Sequence, residues 1–209
     1  MTMLDLLQQP KARPGSAGKA FLAAALRNPS VIGGIGPTGS RLARRLASVV
    51  PSGGDLAVVE LGPGTGPVSR AVRERLNGNG QHIAVEVDER MVRYLQSVLP
   101  DLDVAHADAA QLPTVLAERG LTGADAVVST LPWSNFAEPT QRSLLEVAAS
   151  CLAEDGVFTT MACYNTLAQP SARRFRRLLD ETFEEVITTR VIWRNWPPAL
   201  SYVCRRPIE

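Results

Sequence analysis

One stretch constrains the fold of this chain more than any other: an apolar run that carries an acid near its end and turns at once onto three spaced glycines. The run is Val58-Val59-Glu60-Leu61, and the turn is Gly62-Pro63-Gly64-Thr65-Gly66. A short apolar run bounded by turn residues reads as a buried strand. Two more such runs close on carboxylates, Ile83-Ala84-Val85-Glu86-Val87-Asp88 and Ala105-His106-Ala107-Asp108-Ala109. In an open parallel sheet the carboxyl ends of the strands line the crevice that binds ligands. Glycines there let a ligand approach the backbone closely. Three acids on such an edge suit a ligand with hydroxyls, an amine and a positive charge.

Beyond Pro51-Ser52-Gly53-Gly54, apolar runs alternate with helical patterns. Strands are expected near 56–61, 82–87, 102–106, 125–130 and 156–162, and helices near 67–76, 89–98, 139–152 and 171–180. This alternation argues for βαβ units and a parallel sheet. After Asp180 the pattern changes. Val186 to Trp193 and Leu200 to Arg205 read as two strands joined by Asn195-Trp196-Pro197-Pro198, a connection short enough for an antiparallel pair. Ahead of the sheet, a helix is expected over Ala20–Arg27. A second, capped by Thr38 or Ser40, runs to about Val50 with Leu42, Leu46 and Val49 on one face and Arg41, Arg44, Arg45 and Ser48 opposite. The chain thus divides into an N-terminal basic helical arm, residues 1–50, and a ligand-binding α/β domain, residues 51–209.

Charge follows the same division. Residues 1–50 carry seven basic side chains against Asp5, a net +6, while the remainder carries fifteen basic and twenty acidic, a net −5. A basic front on an acidic body points to an anionic partner for the front or to a solvated helix face. The 209 residues include three widely spaced cysteines and two histidines, which form no metal-ligand pattern. A reducing, cytoplasmic compartment fits, and no run is apolar enough to span a bilayer.

The glycine triplet is not the dinucleotide fingerprint, because Pro67 stands where its third glycine belongs, and no Gly-Lys-Ser/Thr follows to make a P-loop. Pro67 suits the first position of a helix, and Asp88, before Glu89-Arg90-Met91, suits a helix cap. Glu86 ends the second strand where a ribose diol would sit, and Asp108 follows the third within reach of an exocyclic amine. In this order and spacing, Glu60 to Gly66, then Glu86, then Asp108-Ala109 resemble the class I S-adenosylmethionine-dependent methyltransferases. The resemblance implies a Rossmann-like, seven-stranded, mostly parallel sheet with an antiparallel last strand. It implies S-adenosyl-L-methionine as cofactor, held by Thr38, Glu60, Gly62, Pro63, Gly64, Thr65, Gly66, Glu86, Val87, Asp108, Ala109 and Ser129.

A closer resemblance runs over residues 20 to 206. Arg27-Asn28-Pro29-Ser30-Val31-Ile32-Gly33, Pro37-Thr38-Gly39-Ser40-Arg41-Leu42-Ala43, Ser129-Thr130-Leu131-Pro132 with Asn135-Phe136, and Trp193-Arg194-Asn195-Trp196-Pro197-Pro198-Ala199 look like the bacterial phospholipid N-methyltransferases. That family implies methylation of phosphatidylethanolamine toward phosphatidylcholine by a cytoplasmic enzyme, peripheral on the inner face of the membrane and docked on anionic lipid. The rRNA adenine dimethylases share the glutamates of the first two acidic motifs but carry an asparagine where this chain has Thr130, and no basic domain for nucleic acid is read here. A soluble small-molecule N- or O-methyltransferase and a cofactor-binding protein without turnover stay open on the same fold. Methyl transfer mostly requires nucleophile and methyl group to be held in line. For an amine acceptor, Tyr164, Trp133 and Trp196 are expected to surround the nitrogen, with Tyr164 and Asn135 as its hydrogen-bonding partners. The arginines 173, 174, 176 and 177 bind either lipid phosphate or the acids at 180–185.

Overall fold

The structure, a computed structural model, describes residues 38–208. The helix expected over 20–27 and the residues before it lie outside that range. Seven strands form one sheet: β1 (Ala57–Leu61), β2 (Gln81–Glu86), β3 (Asp103–His106), β4 (Ala124–Ser129), β5 (Leu152–Cys163), β6 (Phe183–Thr188) and β7 (Ala199–Pro207). Their order is β3-β2-β1-β4-β5-β7-β6. β7 runs antiparallel to both neighbours, β5 and β6, and every other pairing is parallel. The expected fold class and the antiparallel last strand are therefore present.

Six helices accompany the sheet among the described residues: α1 (Ser40–Ala47), α2 (Pro67–Leu76), α3 (Glu89–Val98), α4 (Leu112–Ala117), α5 (Glu138–Ser150) and α6 (Pro170–Thr182). Pro67 takes the first position of α2, and the Asp88 side chain caps α3 by accepting from the Arg90 amide. α4 has no counterpart in the sequence reading. It is short, and Pro113 stands in its first turn, where the missing amide proton is not needed.

Alternate residues of the central strands feed two cores, because successive strand side chains point to opposite faces. Val59, Leu61, Ile83, Val127 and Phe158 join α4, α5 and α6 in one. Val58, Ala126, Val128 and Val157 join α1 and α2 in the other. Leu42, Ala43, Leu46 and Ala47 of α1 are buried in the second core, while Arg41, Arg44 and Arg45 are exposed. The helix ends at Ala47, so Val50 rather than Val49 completes the buried face.

The terminal hairpin differs from the sequence expectation in its bounds. α6 hands directly to β6 at Phe183, whose ring stacks on Phe158 at 5.8 Å. Burial of that ring starts the strand before Val186. β6 stops at Thr188, and residues 189–198 loop away, tied back to β7 by Thr189–Ser201 hydrogen bonds and the Ile192–Ala199 bridge. Along α6, Arg176 pairs with Asp180 and Arg174 with Glu138, so two of the four clustered arginines are used in ion pairs.

Because Leu46 is fully buried in the second core, Leu46→Ala is expected to destabilise the fold by about 2–5 kcal/mol. Urea unfolding checks this, and a loss below about 0.5 kcal/mol, the range of surface substitutions, would mean that α1 is not packed on the sheet.

Candidate active site

The sheet order reverses between β1 and β4, and that is where a crevice forms at the carboxyl ends of the strands. Leu61 of β1 lies opposite Val85 of β2 and Ser129 of β4. The glycine loop starts there. Gly62, Gly64 and Gly66 all adopt positive φ, between 56° and 80°, which only glycine takes without strain. The Gly62 amide donates to the Val85 carbonyl at 3.0 Å, and its own carbonyl accepts from the Thr130 hydroxyl. Pro63, buried, accepts the Gly66 amide at 2.9 Å, and Thr65 is exposed with its carbonyl bonded to Arg70. A Cβ on Gly64 would meet no protein atom within 4 Å, so the loop's open side faces free space.

One of the three acids borders this space, and a second closes the neighbouring strand β3 on the same sheet edge. Glu86 is buried, and its Oε2 accepts the Gly64 amide at 3.3 Å. Its Oε1 accepts the amides of Val87 and Asp88 at 2.8 and 2.9 Å. Asp108, also buried, caps the short 3-10 turn Ala109–Gln111 through Oδ1 and the Ala110 amide. Ala109 itself packs into the first core. The third acid corrects the expectation. Glu60 shares a strand face with Val58, is 0% exposed, and lies 3.2 Å from His82 Nε2 on neighbouring β2. The two groups touch without hydrogen-bond alignment. Glu60 therefore faces His82 on the side of the sheet covered by α1 and α2, rather than the crevice.

Beyond Thr130 a cavity of about 260 Å³ opens at the ends of β4 and β5. Pro132, Asn135, Met161, Asn165 and Gln169 are among its walls, and no described wall residue is charged. Thr38 reaches this cavity's edge, its hydroxyl 3.9 Å from Met161 Sδ. Ser129 is fully buried, its hydroxyl accepting from the Leu131 amide and from Trp133 Nε1 at 3.1 Å. Ser129 thus serves the loop after β4 rather than the crevice.

The expected aromatic ring of Tyr164, Trp133 and Trp196 does not converge. Trp133 is 3% exposed and stacks on Phe175 at 4.5 Å, so it is a wall of the cavity held from behind. Tyr164 and Trp196 do not line the cavity. Tyr164, 48% exposed, stands on its rim between two wall residues and meets Trp193 at 5.0 Å, while Trp196 is 84% exposed. Asn195, expected only as part of the connection into the last strand, is buried and clamps this segment. Its Oδ1 accepts the Gly39 amide at 2.9 Å, and its Nδ2 donates to the Pro197 carbonyl at 2.7 Å. All three cysteines are free and buried, and burial pushes Cys204 up to about 12. Among the described residues no cluster of His, Cys, Asp or Glu could hold a metal ion.

Comparison with known proteins agrees with this geometry. The family described as Methyltransferase domain matches residues 58–156. An ornithine lipid N-methyltransferase of Singulisphaera acidiphila is 32% identical over 188 residues, covering 88% of this chain and 94% of its own length. The chain belongs to the class I S-adenosylmethionine-dependent methyltransferases. Among solved structures, TrmN from Thermus thermophilus superposes with a TM-score of 0.62 at 18% identity, over 90% of this chain and 53% of that protein, so the chain spans about half its length. The N-methyltransferase NodS from Bradyrhizobium japonicum superposes at 0.59 with 14% identity, over 81% of this chain and 94% of NodS. The methyltransferase's cofactor is S-adenosylmethionine, and the open glycine bed beside the buried Glu86 carboxyl fits a nucleoside.

Burial raises the Glu86 carboxyl above the ordinary carboxylate range, outweighing the amides of Asp88, Gly64 and Val87 that pull it down. A carboxyl with a higher pKa folded than unfolded opposes folding once ionised. That cost is absent below the unfolded value, about 4.3, and complete above the folded one. Glu86→Gln removes this titration. The stability difference, variant minus wild type, should therefore become more positive from about pH 4 to about pH 7. Urea midpoints at both pH values measure it, and a difference that ignores pH would contradict the burial effect.

Proposed function

We propose that this methyltransferase N-methylates the amine headgroup of a membrane lipid. The observation that carries the proposal is the uncharged cavity next to the glycine loop. An alkylamine with a pKa near 10.4 lies about 3.4 units from neutrality at pH 7, a cost near 4.6 kcal/mol. A cavity whose described walls hold no carboxylate disfavours the ammonium form and so frees the lone pair. Neutral carbonyl groups of Asn135, Asn165 and Gln169 can accept the remaining amine protons. Trp133, Pro132 and Met161 exclude water from the same walls.

When bound, S-adenosylmethionine supplies an electrophilic methyl group on a sulfonium. On this reading Gly62 to Gly66 bed the cofactor, Glu86 accepts from its ribose hydroxyls, Asp108 faces its amine, and Val87 and Ala109 flank the ring. Thr130 ties this bed to the acceptor cavity, which sets the distance between the two ligands. The relative's name supports ornithine lipid as acceptor. Phosphatidylethanolamine, which the residue pattern alone suggests, offers a similar terminal alkylamine. The basic segment 1–50 supports work at an anionic membrane, on its cytoplasmic face. No described helix is long and apolar enough to cross a membrane.

Incubation with methyl-labelled S-adenosylmethionine and either purified ornithine lipid or phosphatidylethanolamine, with lipids resolved by chromatography, tests the proposal. Label in a lipid amine is the expected result, and label confined to water-soluble products would sink it. Asn135→Ala should lower kcat/KM for the lipid by about tenfold, one net hydrogen bond, without changing cofactor affinity. Glu86→Gln should instead weaken cofactor binding by about tenfold to a hundredfold, since it removes a charged acceptor. Isothermal calorimetry separates the two effects.

A further inference from the structure

A second groove lies on the outside of the molecule, between α1 and the connection from β6 to β7. Arg41, Arg44 and Arg45 make one wall, and Trp193 and Arg194 stand on the other. Arg190, just before, is exposed as well. No described carboxylate forms an ion pair with any of these arginines. The surrounding sequence carries one sign only: neither 38–54 nor 186–208 contains Asp or Glu. Trp193 is 65% exposed, and Trp196 is the most exposed large apolar side chain among the described residues. Isolated charges on a helix face call for no explanation. Unpaired guanidinium groups on both sides of a groove, with two indoles left in water beside them, do.

Two ties join the groove to the acceptor cavity. The Asn195 clamp fixes the β6–β7 connection to the start of α1. The ring of Tyr164 meets Trp193, and the Tyr164 amide bonds the Pro198 carbonyl at 2.8 Å. Tyr164 directly follows Cys163 and precedes Asn165, both of which line the cavity. The aromatic rim therefore lies between the cavity and the groove.

We propose that this groove is a docking surface for an anionic bilayer, with its arginines on lipid phosphates and Trp193 and Trp196 at headgroup depth. The inference rests on the lipid reading above and names the surface that brings the lipid amine to its cavity. The chemistry matches on both counts: basic side chains are drawn to anionic leaflets, and indole rings favour the membrane–water interface. The dock is built from two chain segments far apart in sequence, so it does not depend on residues 1–37 alone.

Tryptophan fluorescence of the full chain offers a direct test, because only three tryptophans are present and Trp133 is buried. Vesicles of phosphatidylglycerol and phosphatidylcholine with brominated acyl chains should quench the emission, and phosphatidylcholine alone should not. Trp193→Phe with Trp196→Phe should abolish the quenching. The triple variant Arg41→Gln, Arg44→Gln, Arg194→Gln should bind anionic vesicles about a hundredfold more weakly, each charge being worth about fivefold near such a surface. Circular dichroism verifies that each variant folds. Undiminished binding of the triple variant, or tryptophans that stay unquenched on bound protein, overturns the docking surface. So does tighter binding to a mixed-sequence RNA than to vesicles. Failure of the lipid reading would look different: no labelled lipid from the wild-type enzyme, whatever it binds.

Discussion

The crevice depends on a knot of backbone hydrogen bonds at the point where the sheet order reverses. The Gly62 amide is bonded to the end of β2, the Gly62 carbonyl to the Thr130 hydroxyl, and the Leu61 carbonyl to the Thr130 amide at 2.9 Å. Three strand ends are thereby held in one place by a loop whose residues have almost no side chains. The left-handed backbone at Gly62, Gly64 and Gly66 makes the knot possible. The Thr130 hydroxyl is turned toward the loop, where it bonds the Gly62 carbonyl.

Around this knot, charge is sorted into zones. Glu86 borders the glycine loop, the cavity beyond Thr130 has no charged side chain among its described walls, and arginines lie on the outer groove. Each zone has a physical counterpart in a methyl transfer to a lipid amine. Carboxylates suit hydroxyls and the positive sulfonium, a neutral cavity suits an uncharged amine, and surface cations suit an anionic leaflet. Glu60 stays apart from this division, since it is hidden with His82 on the side of the sheet covered by α1 and α2. The strand positions alone do not reveal that, because an acid one residue from a strand end can face either side of the sheet.

Much of the fold was legible from local rules. The glycine spacing, Pro67 at a helix start, the Asp88 cap and the change of pattern after Asp180 each depend on neighbours in sequence. What was missed depends on residues far apart. Trp133 is withdrawn from the rim by Phe175, and Ser129 is occupied by Trp133 itself. The Asn195–Gly39 bond joins positions 156 residues apart. Nothing in the periodicity of either segment announces such a bond. α4 escaped notice because six residues with an internal proline give no helical period to detect.

The reversed direction of β7 has one more outcome. Because it runs back along β5, the connection leading into it arrives at the same sheet edge as the cavity. The connection therefore carries its aromatic and cationic side chains to the mouth of the cavity without belonging to any strand that holds the glycine loop. Changes of length or residue within it reshape that mouth and leave the ends of β1, β2 and β4 as they are.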